Sequence, residues 1–444
     1  MINRLAIFTR IRVVLPFGRA RPSFHHRIEE DTLAANSGRK YVIIGNGIAG
    51  TTCAQTLRKN DLSCEIWLLT NEPYPLYNRV SLKRLLDGVI PEQKVMMRDV
   101  AWHEAQRITL LTETYVTHVD TSARVVYLSK GGPLPYDALL VASGGWPNRL
   151  EANGVENVSH LYSFVTLDDT RGIIQRTLES QTAVVTGGSY MAYDLAEGLR
   201  KRGLHVTWLI RGPFWLRRIL DETAGGMVDG ILARHEVEVV HGEEVRTVIA
   251  CNGVPRAVVG TSGREYAADM VGVGIGLTMN HAFLSDTPVQ RKTGIITDEY
   301  LETNVPGVYS AGDVAEFFDP LTGGHRVIGT WDNAMAQGAL VAANMAGGHE
   351  PYLEVPTRSS PIFDTNIVTV GMAEGGETNL ESIMRVTPGD RGMDDYRKFF
   401  FKGPRLVGSV FLGSPKGRKK IVELIRQQSE YRTPAEREAL FEIR

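Results

Sequence analysis

The 444-residue sequence predicts an α/β fold: two units of the strand–turn–helix–strand kind, followed by a smaller α+β domain. Three observations predict it. A short apolar run, KYVII from Lys40, passes directly into GNGIAG. A second run, AVVT from Ala183, passes into GGSYMA, so the same architecture opens twice. After about Gly348 the texture changes to β-type segments separated by turns.

In the first unit KYVII reads as a buried strand, TTCAQTLRKN as the helix after it and CEIWLLT as the second strand. Gly45, Gly47 and Gly50 fill the three fingerprint positions. These serve a tight turn, the approach of backbone to a pyrophosphate, and close packing of helix on strand. The helix then presents free N–H groups and its positive dipole end to the phosphates. The acid expected beyond the second strand is offset to Glu72. YDALLVASGG (136–145) and GVYSAGDVAEFF (307–318) read as further strands ending in small residues. In the second unit Met191, Leu195 and Leu199 form one apolar stripe along a helix. Towards the end NIVTVGM, YRKFFFK and LVGSVFLG read as antiparallel strands and RKKIVELIRQQ as a helix.

Bulk composition narrows the class. The chain is too long for a single hydrophobic core, and its 43% hydrophobic and 23% charged content is that of a soluble globular protein. A net charge of −2 gives no footprint for nucleic acid. Three cysteines, Cys53, Cys64 and Cys251, without CxxC spacing argue against a disulfide scaffold or a zinc site and fit a reducing, cytoplasmic setting. No apolar run is long enough for a membrane span. Residues 1–38 differ: six arginines precede the first acid, Glu29. That head is open to three readings: an organelle-targeting segment, an arm for a peripheral membrane surface or a partner, or a disordered extension.

YVIIGNGIAG, NEPYPLYNRVSLK, YDALLVASGGWPNRL, GVYSAGDVA and WDNAMAQGALVAANMAG follow one another in order. Together they resemble the FAD-dependent pyridine nucleotide-disulfide oxidoreductase superfamily, nearest its ferredoxin/rubredoxin reductase and nitrite reductase flavodomain branch, over roughly residues 39–420. The resemblance implies two Rossmann-like domains of the three-layer ββα type and a C-terminal interface domain. Its boundaries would be 39–150 and 273–348 for FAD, 151–272 for a nicotinamide nucleotide, and 349–444 for the interface domain and tail helix. It further implies that Gly45, Gly47 and Gly50 line the FAD pyrophosphate and that Glu72 meets the adenosine ribose. Arg79 would lie near the phosphates, Lys83 or Arg84 near the isoalloxazine as tuners of its charge, Ala142 and Gly144 in the ATG-like turn, Asp313 on the ribityl chain and Trp331 by the ring. The plain alternatives are a solvated helix face for the three cations, a helix cap for Asp313 and core packing for Trp331.

By the same resemblance Gly187, Ser189 and Ala192 are the fingerprint for NADPH or NADH. Alanine is accepted in the third slot. Ser189 puts a Cβ where main chain should meet the pyrophosphate, although its hydroxyl offers a donor to a phosphate oxygen. Ile210 stands where an acid usually holds the ribose of NADH, and Arg211, Arg217 and Arg218 follow, which leans the site towards NADPH. Asp194 replaces a longer glutamate near the nicotinamide. A vestigial nucleotide domain is the alternative. The redox cysteine pair of the disulfide reductases is missing after the second strand, so dithiol chemistry is not expected. Three cysteines are also too few for an iron–sulfur cluster of the chain's own, which needs about four thiolates. The expectation is therefore an NAD(P)H oxidoreductase that hands electrons from FAD to a separate carrier protein. The competing expectation is a relay flavoprotein subunit with a degenerate nucleotide site. A homodimer is left open, and no general acid or base is assigned.

Overall fold

The computed structural model describes residues 38–373, 380–389 and 393–443; the basic head, Gly38 apart, lies outside them. The first unit comprises β1 (Lys40–Ile44), α1 (Ile48–Asn60), β2 (Glu65–Leu69), α2 (Ser81–Leu86), β3 (Thr109–Leu111) and β4 (Ala138–Val141). The second comprises β5 (Leu161–Tyr162), β6 (Thr182–Thr186), α3 (Tyr190–Lys201), β7 (His205–Ile210), α4 (Glu222–Arg234), β8 (Val237–His241) and β9 (Met270–Val273). The chain then returns to the first unit through β10 (Val308–Ser310) and α5 (Trp331–Met345).

Both units are parallel sheets of five strands, ordered β10-β4-β1-β2-β3 and β8-β7-β6-β9-β5. Each is covered on one side by helices and on the other by a three-stranded antiparallel sheet, 116–135 in the first unit and 245–267 in the second. This sandwich explains why Tyr41, Val42, Ile43 and Ile44 follow one another without a polar residue. Tyr41 and Ile43 pack with α1, while Val42 and Ile44 pack with Val119 and Val126 of the small sheet. A strand buried on both faces loses the alternation that a half-exposed strand shows. In the second unit Ala183 and Val185 face the helices, and Val184 faces Val248 and Val258.

The C-terminal domain is a five-stranded antiparallel sheet followed by helical segments. Its elements are β11 (Thr357–Ile362), β12 (Thr365–Gly371), β13 (Glu381–Thr387), β14 (Asp395–Lys402), β15 (Arg405–Leu412) and α6 (Arg418–Arg426), in the strand order β11-β12-β15-β14-β13. One face buries Val368, Phe399, Phe411 and the α6 residues Ile421 and Ile425. The other joins Ile367, Tyr396, Phe400 and Val410 to the core of the second unit, with Trp208, Trp215 and Leu195. No helix among the described residues is long and apolar enough to cross a membrane.

Two close approaches fix where the site forms. α5 lies on α1 with Gly338 against the Ala49 carbonyl, where a Cβ would come within 2.2 Å of the oxygen. Gly312, just after β10, donates its N–H to Gln337 Oε1 of α5 at 2.8 Å, so the loop carrying Asp313 is held at the start of α1.

Candidate active site

The first turn is built around Gly45, whose φ of +115° is open to glycine. A Cβ there would lie 2.1 Å from the Ala142 carbonyl oxygen. Gly50 packs against the Gly45 carbonyl, where a Cβ would come to 1.9 Å. Gly47 differs from both: it is the N-cap of the 13-residue α1 in extended conformation, and a Cβ on it would meet nothing within 4 Å. The N-terminus of α1 has no capping side chain and no acid in its first turn. Bare main chain, uncapped N–H groups and open space in front of them fit a diphosphate.

Asp313 supports the same fit. Its carboxylate is half-buried and accepts no hydrogen bond among the described residues, so it does not act as a helix cap. Burial raises its pKa, and the Arg358 and Arg79 guanidiniums partly oppose the rise. A buried carboxylate without a donor is costly, and a ribityl hydroxyl would supply one. Glu72 and Arg79, which sequence reading assigns to separate parts of a ligand, are brought into one ion pair. Tyr77 donates to Glu72 at 2.7 Å, and Arg79 donates to the Val165 carbonyl at 2.8 Å. Ser143, between Ala142 and Gly144, donates to the Asn280 carbonyl and fixes that turn. Trp331 is half-buried as the first residue of α5.

The second turn repeats the geometry of the first. Gly187 has φ +120°, and a Cβ on it would lie 2.2 Å from the Gly274 carbonyl oxygen. Its N–H donates to Leu209 at 3.1 Å, as that of Gly45 donates to Leu69 at 2.9 Å. The small pair is exchanged: the methyl carried by Ala142 in the first turn is missing at Gly274, and the one missing at Gly50 is carried by Ala192.

Ser189 corrects one expectation. Its Oγ accepts from the Ala192 N–H at 3.2 Å and donates to the Gly274 carbonyl at 2.7 Å. The hydroxyl's one proton is thus committed within the chain, and one of the helix's free donors is satisfied by the cap. It offers no donor to a phosphate. Two buried tryptophans that sequence reading did not single out hold the loop's carbonyls: Trp208 Nε1 donates to Gly187 O at 2.8 Å and Trp215 Nε1 to Ser189 O at 3.2 Å.

A cleft of about 1790 Å³ runs from this turn past Gly274 to Gly329 and Arg358. Arg211, Arg217, Arg218 and Arg246 also line it. The acid missing at Ile210 has a counterpart from another strand: Glu244, beyond β8, lies 3.4 Å from Arg211. Only the fold brings 211 and 244 together.

Asp194 on α3 is half-buried, and burial above all pushes its pKa up to about 7. Glu197 and Asp87 reinforce the rise, against Lys83 and Arg358. Lys83 itself pairs with Asp87 at 2.7 Å and with Glu197 at 3.1 Å, one helical turn beyond Asp194. Lys201 joins the same acids at 2.9 and 2.5 Å. Arg84 is exposed and forms no ion pair among the described residues, so of the two tuning candidates only Lys83 reaches the interior. Adjacent residues on a helix point about 100° apart.

Cys53 and Cys64 are buried core residues, burial raising both thiols and holding Cys64 at about 11; Cys251 is exposed and none forms a disulfide. Among the described residues no group of three or more His, Cys, Asp or Glu side chains is placed to hold a metal ion.

The sequence profile of the pyridine nucleotide-disulphide oxidoreductase family matches residues 39–338. The chain is similar to the ferredoxin reductase component of chlorobenzene dioxygenase from Cupriavidus sp. (strain PS12), 32% identical over 352 residues, covering 78% of this chain and 83% of that protein. It is also similar to the ferredoxin–NAD(+) reductase component of the biphenyl dioxygenase system from Paraburkholderia xenovorans (strain LB400), 31% identical over 335 residues, with 75% and 81% covered. Among solved structures, the covalent putidaredoxin reductase–putidaredoxin complex matches with a TM-score of 0.81 at 25% identity, over 88% of this chain and 94% of that one. With the profile spanning two thirds of its length, and with two glycine turns of the same geometry, the chain belongs to the pyridine nucleotide-disulphide oxidoreductase family.

Proposed function

We propose that the protein is an FAD-dependent NAD(P)H oxidoreductase that passes electrons to a separate carrier protein of the ferredoxin or rubredoxin type. The observation that carries the reading is the doubled turn, Gly45 against the Ala142 carbonyl and Gly187 against the Gly274 carbonyl, with the second turn lining a cleft that reaches Gly329 beside Asp313. Two dinucleotides placed on one protein in this way are suited to exchanging electrons. Bound FAD would supply the chemistry, taking two electrons together from a reduced nicotinamide and releasing them singly.

The chain's residues do the rest by position and charge. The N-terminus of α1 and Gly47 receive the FAD diphosphate, and Asp313 accepts from the ribityl chain. Gly188 and the start of α3 receive the second diphosphate. Seven arginines against three glutamates line the cleft, an excess of positive charge that favours a 2′-phosphate, and so NADPH over NADH. The dioxygenase ferredoxin reductase components among the relatives support a protein acceptor. A reducing, cytoplasmic setting is supported by three cysteines without a disulfide.

A relay subunit with a degenerate nucleotide turn is the second reading, favoured by the self-capped Ser189. Anaerobic titration of the oxidised protein with each nucleotide separates the two. NADPH is expected to bleach the flavin at lower concentration than NADH. A flavin that neither nucleotide reduces selects the relay reading. Folded protein that stays colourless after soaking in FAD removes both.

A further inference from the structure

We propose that Arg358, carried to the cleft by the C-terminal sheet, is a charge-stabilising residue for the reduced flavin and thereby sets its reduction potential. This rests on the FAD reading above and adds a residue to it that neither glycine turn contains.

Arg358 is the second residue of β11 and is half-buried. Its guanidinium donates to the Gly329 carbonyl, just before α5, and its central carbon lies 4.5 Å from the Tyr190 ring centroid at the start of α3. One side chain of the third domain therefore touches both nucleotide-binding units. Gly329 in turn lies beside Asp313, close enough that a Cβ would be 3.2 Å from its carboxylate. Arg358 thus occupies the cleft between the residue assigned to the ribityl chain and the turn assigned to the nicotinamide nucleotide.

Its charge is distinctive. Arg79 is paired with Glu72, and Lys83 with Asp87 and Glu197. Arg358 has no carboxylate at ion-pair distance among the described residues, and its field is felt at both Asp313 and Asp194. A partly desolvated guanidinium without a counterion is unfavourable until a negative charge arrives. Reduction of FAD by a nicotinamide delivers two electrons and one proton, which leaves one added negative charge on the flavin. In a low-dielectric cleft that charge and this cation attract strongly.

The test compares the FAD-loaded parent with Arg358→Gln and Arg358→Lys, each equilibrated with a redox indicator dye, with FAD content measured alongside. At the potential where the parent is half reduced, Arg358→Gln is expected to lower the ratio of reduced to oxidised flavin about tenfold, roughly 30 mV for a two-electron couple. Arg358→Lys, which keeps the charge, is expected to stay within about threefold of the parent, roughly 15 mV. Should the glutamine variant fail to fold, Arg358→Met, which retains bulk against Tyr190, is measured with the same thresholds. FAD bound normally with the ratio changed by less than threefold overturns the proposal alone. So does weakened NADPH binding at unchanged potential, which would give Arg358 to the nucleotide instead. A parent that binds no FAD overturns both the proposal and the reading beneath it.

Discussion

Burial, with Glu197 and Asp87 close by, pushes the Asp194 carboxyl up to about 7. An acid whose folded pKa is raised makes the folded chain hold more protons than the unfolded one. Stability therefore falls as pH rises from the ordinary aspartate range, near 4, to about 7, and is level above that. Asp194→Asn removes the slope. Urea unfolding is expected to show the variant gaining on the parent by on the order of 2 kcal/mol between pH 4.5 and pH 8, after allowance for partial exposure. A gap of the same size at both pH values would show that folding does not raise the Asp194 pKa. The residue type was visible in the sequence; its environment was not. Lys83, Asp87, Glu197 and Lys201 form their cluster because α2 docks on α3, where Gly198 leaves room for Leu86. Glu72 and Arg79 were likewise legible one at a time, and only the path of the loop turns them onto each other.

At the scale of elements, α1 and α3 are the same device in two states. α1 begins at Gly47 with no cap, and α3 begins at Ser189 with a cap that uses the Ala192 N–H. Ser189→Gly would give α3 the bare start of α1. Glycine is a fair N-cap, so the helix would lose only a few tenths of a kcal/mol. The freed N–H can donate to a phosphate, a charge-assisted bond of about 1.5–3 kcal/mol, so NADPH is expected to bind about tenfold tighter or more. Anaerobic titration gives the affinity and thermal unfolding the cost. Unchanged or weaker affinity would show that the serine does not compete with the nucleotide. The cap itself was foreseeable from Ser189 preceding a helical stripe. Its second bond, to Gly274 some 85 residues on, was not, because no local pattern marks which carbonyl a distant strand presents. The strands β1 and β6 were legible for the opposite reason: covered on both faces, they carry the unbroken apolar runs Tyr41 to Ile44 and Ala183 to Val185. Glu244 shows the same limit, since it reaches Arg211 only through the pairing of β7 with β8.

For the whole molecule, the change of texture near Gly348 revealed a separate sheet without revealing what that sheet covers. Alternation fixes which residues share a face, and both faces of this sheet turn out to be buried. One packs α6, and the other closes the core of the second unit through Ile367, Tyr396, Phe400, Val410 and Leu412. Tyr396 and Lys398 also bind Asp221, the cap of α4, at 2.6 and 3.0 Å. The first unit has its own two cores, closed on its helices and on its small sheet. Loss of the C-terminal sheet should therefore fall unequally on the two units. Each large apolar side chain returned to water forfeits about 1.5–3 kcal/mol. Five of them amount to about 7.5–15 kcal/mol, comparable with the entire stability of a typical domain, about 5–15 kcal/mol. A chain ending at Pro356 keeps Tyr352, which belongs to the first unit's core, and loses β11 to β15. It is expected to retain bound FAD, to lose reduction by NADPH, and to be cleaved by added protease within residues 182–241 while 40–141 resists. NADPH reduction at the parent's rate in that shortened chain would show that the second unit closes its core without the sheet.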